Sequence, residues 1–210
     1  MGGTIASFID QGKSIGIIDL TNGEPTPYGT IEKRAKEQTE ASKVLGVNVR
    51  ETLAIKNREI FDTVENRKLV ANTIRKYKPE ILFIPYPEDG HPDHINASKL
   101  ALASRFYAKL SNTDMQHDPW YPKKIFYFFS THLQVKFQPS FIYDISNHFD
   151  TKIKAIKSYK SQFIENEKNK VIFDHVKNVN AYWGSQTGCK FGEPFVGIEN
   201  LLLKKADTIL

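Results

Sequence analysis

The segment ILFIPYPEDGHPDHINASKLALASRF, residues 81–106, decides how the fold of this chain is interpreted. A short apolar run is followed by a loop with His91, Asp93 and His94, and then by an amphipathic stretch. The apolar run is typical of a buried β-strand. Pro92 suits the first position of a helix, because its φ is fixed and it has no N–H to leave unsatisfied. The segment therefore predicts a strand, a loop and a helix, with His91 as the N-cap and His94 in the first turn.

Short apolar runs and amphipathic segments also alternate in the residues before this unit. Residues 14–21 predict a buried strand, residues 30–46 predict a helix with Thr30 as its N-cap, and residues 64–79 predict a second helix. Strands and helices of these lengths need crossover connections. They predict an α/β fold with a Rossmann-like, mostly parallel sheet flanked by helices on both faces.

The second half of the chain is richer in aromatic and β-branched residues. Residues 123–129 and 140–146 predict further strands or an edge pair. Helical patterns follow, and Gly192 and Pro194 are expected to shape a turn. No repeat or low-complexity tract divides the sequence, so one domain is expected over residues 1–210.

Composition narrows the class of protein. The chain has 210 residues, of which 40% are hydrophobic and 25% charged, as in an ordinary globular domain. A single cysteine, Cys189, fits a reducing compartment, so a cytoplasmic location is expected. No apolar run reaches the ~20 residues of a membrane span. The net charge of +5 is scattered rather than concentrated, so neither a membrane nor a nucleic acid is expected as a partner.

The two histidines of the opening segment allow two interpretations. Ligands of open α/β sheets bind beyond the carboxyl ends of the strands, and residues 87–94 follow such an end. Two imidazoles three residues apart could there face one cleft and contribute to a metal site. Alternatively, the segment is an ordinary loop in which Asp93 only complements the helix dipole, since this spacing alone is a weak metal signal. The remaining histidines are isolated and are expected to be structural or on the surface: His117, His132, His148 and His175.

The motif GHPDHINASKLA, residues 90–101, occurs together with MGGTIASFIDQGKSIGIIDLTNGEPTPYGT at residues 1–30 and FGEPF at residues 191–195. In these segments the sequence resembles the LmbE/PIG-L family of zinc-dependent N-acetylglucosamine deacetylases, and in particular the bacillithiol-biosynthesis deacetylases. The resemblance extends through most of the chain. It implies an LmbE-like fold, hydrolysis of the acetamide of an N-acetylglucosamine-type amino sugar, and a homo-oligomer, either a trimer or a hexamer.

The resemblance also implies a role for each candidate site residue. His94 would be one of three ligands of Zn²⁺ or another divalent metal. His91 would stabilise the oxyanion, and Asp93 would orient His91. Arg34 would contact the sugar substrate, and Tyr182 would line the pocket. The reaction needs such groups, because a zinc ion lowers the pKa of its bound water to about 7 and polarises the carbonyl.

Two of these residues have a simpler interpretation from the sequence alone. Arg34 could pair with Glu37 or Glu40 on a solvated helix face. Tyr182, with Trp183, could belong to the core rather than to a pocket.

The chain departs from the family pattern at two points. The family's AHPDD motif is absent from the sequence, and with it two metal ligands and the general base. We therefore expect the N-terminal strand and first metal motif to be missing, and Asp10, Asp19 and Glu24 to be poor substitutes. Gly90 stands where bacillithiol-type enzymes usually carry Arg, which weakens N-acetylglucosaminyl-malate as the substrate. The alternative function is a truncated or inactive LmbE-like fold that binds sugars without catalysis.

Overall fold

The computed structural model describes residues 1–24, 28–130 and 136–201. Within these ranges the helices are α1 (Gly2–Asp10), α2 (Ile31–Leu45), α3 (Val64–Tyr77), α4 (Pro92–Ala108), α5 (Phe149–Lys157), α6 (Lys160–Phe163) and α7 (Ile172–Ser185). The strands are β1 (Gly16–Asp19), β2 (Val49–Thr52), β3 (Ile81–Pro85), β4 (Lys124–Phe128), β5 (Phe141–Asp144) and β6 (Gly192–Gly197). Every helix within these ranges falls short of the length or the apolarity that a membrane span requires.

The strands form two groups. β1 and β2 pair in parallel, and the second group has the order β3-β4-β6-β5. β3 and β4 are parallel, whereas β6 runs antiparallel to both of its neighbours. The predicted α/β fold is confirmed, and its sheet is mixed in the second half of the chain.

Helices cover both faces of the strands, as predicted. Neighbouring strand residues point to opposite faces. Ile17 of β1 therefore packs against a cluster from α1, α2 and α5, while Ile18 packs against a cluster from α3 and α4. On β3, Leu82 joins the α3–α4 cluster and the Phe83 ring lies 6.1 Å from the ring of Phe8 in α1. The helical layers thus bridge the two groups of strands.

The predicted helix ends are found in the structure. Thr30 caps α2, because its Oγ1 accepts a hydrogen bond from the Lys33 N–H at 3.2 Å. Gly46 ends the same helix in the left-handed conformation, with φ of 78°. Pro92 begins α4, with His91 as its N-cap.

The prediction of a turn at Gly192 and Pro194 is wrong, because both residues belong to β6. This strand lies between β4 and β5, so these two strands are not an edge pair. Pro194 is tolerated because the ladder to β4 involves only Val196 and Gly197, and the missing N–H of proline breaks no bond there. A Cβ atom on Gly192 would lie 2.5 Å from Cγ2 of Ile142, so glycine allows the close approach of β5 and β6.

Candidate active site

The loop between β3 and α4 brings the two histidines together. Nδ1 of His91 accepts a hydrogen bond from the backbone N–H of Asp93 at 3.2 Å, which caps the helix. His94 follows in the first turn, and its ring stacks on that of His91 with centroids 4.9 Å apart and planes inclined by 21°. The two imidazoles therefore lie side by side at the carboxyl end of β3.

The cap determines which nitrogen of His91 can donate. A neutral imidazole that accepts at one nitrogen carries its proton on the other. Since Nδ1 accepts from Asp93, Nε2 of His91 is the donor in the neutral ring. A positioned N–H donor is what an oxyanion stabiliser requires.

Asp89 is a site residue that was not among those predicted. Its Oδ2 lies 3.0 Å from Nδ1 of His94, and its Oδ1 accepts from the His91 N–H at 2.8 Å. The Ser130 hydroxyl also donates to Oδ2. Burial alone would raise the pKa of Asp89, but these hydrogen bonds and His94 hold it below its usual value. The site thus contains a fixed, charged carboxylate against His94.

The carboxylate of Asp93 has a different partner from the one expected. Its Oδ2 accepts from the backbone N–H of Arg58 at 2.8 Å. Arg58 has φ of 69°, so the buried carboxylate holds a left-handed residue in the connection between β2 and α3. Asp93 contacts Nδ1 of His91 through its backbone N–H, and its predicted role in orienting His91 stays a prediction.

One pair of described residues has the arrangement expected in part of a metal site. An imidazole that contacts a carboxylate through Nδ1 presents Nε2 to a metal, and this arrangement is typical of metal-ligating histidines. His94 and Asp89 fit that pattern. However, the described part of the chain contains no group of three His, Cys, Asp or Glu side chains that could hold a metal ion. Asp19 is engaged by Arg50, at 2.7 and 3.0 Å, so it does not substitute for a ligand.

Arg34 lies at the carboxyl end of β1, beside the loop that follows this strand. Its Nε is 3.9 Å from Oε1 of Glu24. The alternative pairing with Glu37 or Glu40 is wrong. Glu37 accepts from the Ser161 N–H at 2.7 Å and from its hydroxyl at 2.8 Å, and Glu40 pairs with Lys43 at 2.8 Å. The contact of Arg34 with a substrate stays a prediction.

Tyr182 lines a cavity of about 540 Å³, at which Ser130 and Trp183 are also found. The Tyr182 side chain is 57% exposed, so the alternative that it belongs to the core is wrong. His175 lines the same cavity. Of the other isolated histidines, His117 is exposed and His148 lies 3.5 Å from Asp10, while His132 is outside the described residues.

Stacked imidazoles and a fixed carboxylate at a strand end agree with the general position of ligand sites in open α/β sheets. Residues 1–104 match the family model for PIG-L, GlcNAc-PI de-N-acetylase. The chain is 27% identical over 208 residues to a diacetylchitobiose deacetylase of Thermococcus kodakarensis, with 92% of this chain and 75% of that protein covered.

Solved structures agree with this match. The conserved protein TT1542 of Thermus thermophilus superposes with a TM-score of 0.89 at 35% identity, with 98% of this chain and 90% of that chain covered. The N,N'-diacetylchitobiose deacetylase of Pyrococcus horikoshii, in complex with its inhibitor MPG, gives a TM-score of 0.83 at 25% identity, with 99% and 82% covered. The chain belongs to the PIG-L (LmbE-like) family of deacetylases, an enzyme family, and the predicted membership is confirmed.

Proposed function

We propose that this protein is a metal-dependent deacetylase that hydrolyses the acetamide of an N-acetylglucosamine-type amino sugar. The observation that carries the proposal is the arrangement of His91, His94 and Asp89 at the carboxyl end of β3, in a chain of the PIG-L family. The similarity to a diacetylchitobiose deacetylase supports this substrate class.

Each of these residues has a task in the proposed reaction. His91 donates from Nε2 to the oxygen of the acetamide carbonyl as negative charge develops there. His94 is a metal ligand through Nε2, and Asp89 fixes its ring. A divalent metal such as zinc, when bound, supplies an activated water and polarises the carbonyl. Arg34 and Tyr182 contact the sugar.

The missing N-terminal strand and first metal motif remain part of the proposal. The break between β1 and β3 supports it, because α1 and the α3–α4 cluster pack against both strands although the two strands do not pair. In this proposal a further strand lies in the break, and its end meets the loop of residues 91–94 at the same edge. In this proposal the other metal ligands come from that strand end.

The test measures acetate release from N,N'-diacetylchitobiose and from N-acetylglucosaminyl-malate, with added Zn²⁺ and after chelation with EDTA. Both the 210-residue protein and a version extended upstream to include the metal motif are assayed. We expect release by the extended protein, and loss of this release with EDTA. Release of acetate from N-acetylglucosaminyl-malate alone would support a role in bacillithiol biosynthesis. Gly90 argues against this substrate.

The second candidate function, sugar binding without catalysis, rests on the absence of a complete metal group among the described residues. It predicts that the 210-residue protein folds without metal and binds amino sugars but releases no acetate. A cytoplasmic location and a homo-oligomeric state are also proposed. Light scattering of the purified protein measures the latter.

A further inference from the structure

The segment YKSQF, residues 159–163, is not used by the proposed reaction. It includes α6, which packs against α2. Ser161 of α6 is 4% exposed and meets a carboxylate of α2, Glu37, which is 6% exposed. Oε1 of Glu37 accepts from the Ser161 N–H at 2.7 Å, and Oε2 accepts from the Ser161 hydroxyl at 2.8 Å. Because a buried carboxylate costs free energy unless it is hydrogen-bonded, these two bonds fix how α6 lies on α2.

The same short helix holds the chain just before α2. Nε2 of Gln162 donates to the carbonyl oxygen of Tyr28 at 2.8 Å. At Gly29, which has φ of 85°, a Cβ atom would lie 3.0 Å from Oγ of Ser161. The chain therefore passes directly over Ser161 before Thr30 caps α2. α6 thus sets the point at which the loop after β1 enters α2.

Arg34 lies between this held segment and the loop after β1. Its Cγ is 3.4 Å from the position of a Cβ on Gly29, and its Nη2 is 2.9 Å from the position of a Cβ on Gly23. Nε of Arg34 is 3.9 Å from Oε1 of Glu24. The side chain is therefore packed between Gly29, which borders Ser161, and residues that follow the carboxyl end of β1.

The guanidinium end of Arg34 is connected to the loop of the two histidines. The carbonyl oxygen of Gly23 accepts from Nδ2 of Asn57 at 3.4 Å. The backbone N–H of the next residue, Arg58, donates to Asp93 at 2.8 Å. Arg34 thus lies at the same carboxyl edge of the strands as the stacked imidazoles, where ligands of open α/β sheets bind.

We propose that Glu37, Ser161 and Gln162 are positioning residues, which hold the Arg34 guanidinium where the amino sugar binds. Ser161 and Gln162 act through residues 28–30, and Glu37 acts by fixing Ser161. This inference rests on the proposed function, in which Arg34 contacts the sugar. It assigns a task in substrate binding to a segment that does not itself touch the substrate.

A chemical probe measures the position of Arg34 without sugar or metal. Phenylglyoxal modifies accessible arginine side chains, and its reaction with Arg34 in the 210-residue protein is followed by mass spectrometry. The Arg34 side chain is 23% exposed. We expect Ser161→Ala, Gln162→Ala and Glu37→Gln to raise its modification rate about fivefold, the equivalent of one lost hydrogen bond. The rate at Arg67 of α3 is the internal standard.

Ser104→Ala and Glu40→Gln are the matched controls. Ser104 is also a buried serine, but its hydroxyl bonds to Leu100 within α4, so its variant shows the effect of a lost buried hydroxyl alone. Glu40 is an exposed carboxylate of α2 that pairs with Lys43. Both variants should leave the modification rate of Arg34 at the wild-type level.

A double-mutant cycle tests whether Ser161 acts through Arg34. Binding of N-acetylglucosamine is measured by calorimetry for the wild type, Ser161→Ala, Arg34→Ala and the double variant, in the 210-residue protein and in the extended protein. We expect Ser161→Ala to weaken binding about fivefold when Arg34 is present and less than about twofold when it is alanine. Acetate release by the extended protein is measured in parallel.

An Arg34 modification rate that is the same in Ser161→Ala and the wild type overturns the proposal. So does an equal loss of sugar affinity with and without Arg34, or a wild type that binds no N-acetylglucosamine in either form. Sugar binding that couples Ser161 to Arg34 without acetate release would overturn the deacetylase proposal and keep the positioning role. Acetate release with no coupling between the two residues would do the reverse.

Discussion

Asp89 connects three groups of the site, the His91 N–H, the Ser130 hydroxyl and the His94 ring. In metal sites, a carboxylate in this position fixes the ring and raises its basicity. We therefore expect Asp89→Asn to lower both zinc affinity and kcat/KM for deacetylation by about 10- to 100-fold. Calorimetric zinc titration and acetate release measure the two effects.

Glu88→Gln is the control for Asp89→Asn, because Glu88 is the exposed neighbour of Asp89 and its change removes the same charge. It should leave both quantities at the wild-type level. Equal zinc affinity in Asp89→Asn and the wild type would show that Asp89 does not position His94.

His91 caps α4 and is also the proposed donor to the oxyanion, and one substitution separates these tasks. Asparagine is among the best N-cap residues, so His91→Asn should keep the melting temperature near that of the wild type. It removes the imidazole Nε2, and we expect kcat to fall about 10²- to 10³-fold. Thermal unfolding and acetate release are the measurements. A variant with normal kcat would remove His91 from the proposed mechanism.

Glu193 is a single buried residue that is expected to make the free energy of unfolding depend on pH. Burial alone would raise its pKa, but the Met1 amino group, Lys152 and Thr4 hold the pKa of Glu193 well below its usual value. A lowered folded-state pKa gives stability that is complete above the unfolded-state pKa of about 4.3 and is lost as the pH falls through the folded-state value. In the 210-residue protein, which carries this Met1 amino group, we expect Glu193→Gln to cost about 3–5 kcal/mol at pH 7 and less at pH 3.

Urea denaturation at pH 7, 5 and 3 measures this cost. Glu167→Gln is the control, because the Glu167 side chain is 81% exposed, and its cost should be near zero throughout. If Glu193→Gln lowered the free energy of unfolding equally at pH 3 and pH 7, the charge of the Glu193 carboxylate would not be the cause of the loss.

At the scale of elements, β6 depends on a glycine. A Cβ atom at Gly192 would lie 2.5 Å from Cγ2 of Ile142 and 3.0 Å from the backbone N of Gly184. Gly192→Ala should therefore reduce the free energy of unfolding by about 1–3 kcal/mol. Gly16→Ala is the matched strand control, since the nearest atom to its Cβ would be 3.8 Å away. Chemical denaturation compares the two, and equal stabilities would contradict the crowding at β6.

The helices were predictable from sequence because their signals are local. Thr30 and Pro92 begin helices through contacts within a few residues. β2 and β6 were not predicted, since their stability comes from distant partners. Arg50 of β2 reads as a surface charge but binds Asp19 across the strand pair, and Pro194 is acceptable only because β6 lacks a neighbour on one side there.

At the scale of the whole molecule, the site could be predicted only in part. His91 and His94 are neighbours in sequence and were predicted together, and family resemblance supplied their roles. The contact between Asp89 and Ser130 joins residues 41 positions apart, and the cavity collects residues from β4, β6 and α7. Nothing in local periodicity indicates such tertiary contacts.

The break in the sheet should be visible in the dynamics of the whole molecule. Among the described strands, β1 and β3 each have one neighbour, whereas β4 and β6 have two. Backbone N–H groups that face no strand exchange more readily. We expect faster amide hydrogen exchange in β1 and β3 than in β4 and β6, measured by mass spectrometry. Uniform protection across the strands would contradict the break.

Asp93 joins two parts of the molecule that are otherwise separate in sequence. Its N–H holds the ring of His91, while its carboxylate holds the backbone of Arg58. The connection before α3 and the start of α4 are thus joined by the two hydrogen bonds of a single residue. Through these contacts we expect a change in the Arg58 connection to alter the orientation of the His91 imidazole, although Arg58 and His91 are 33 positions apart in the sequence.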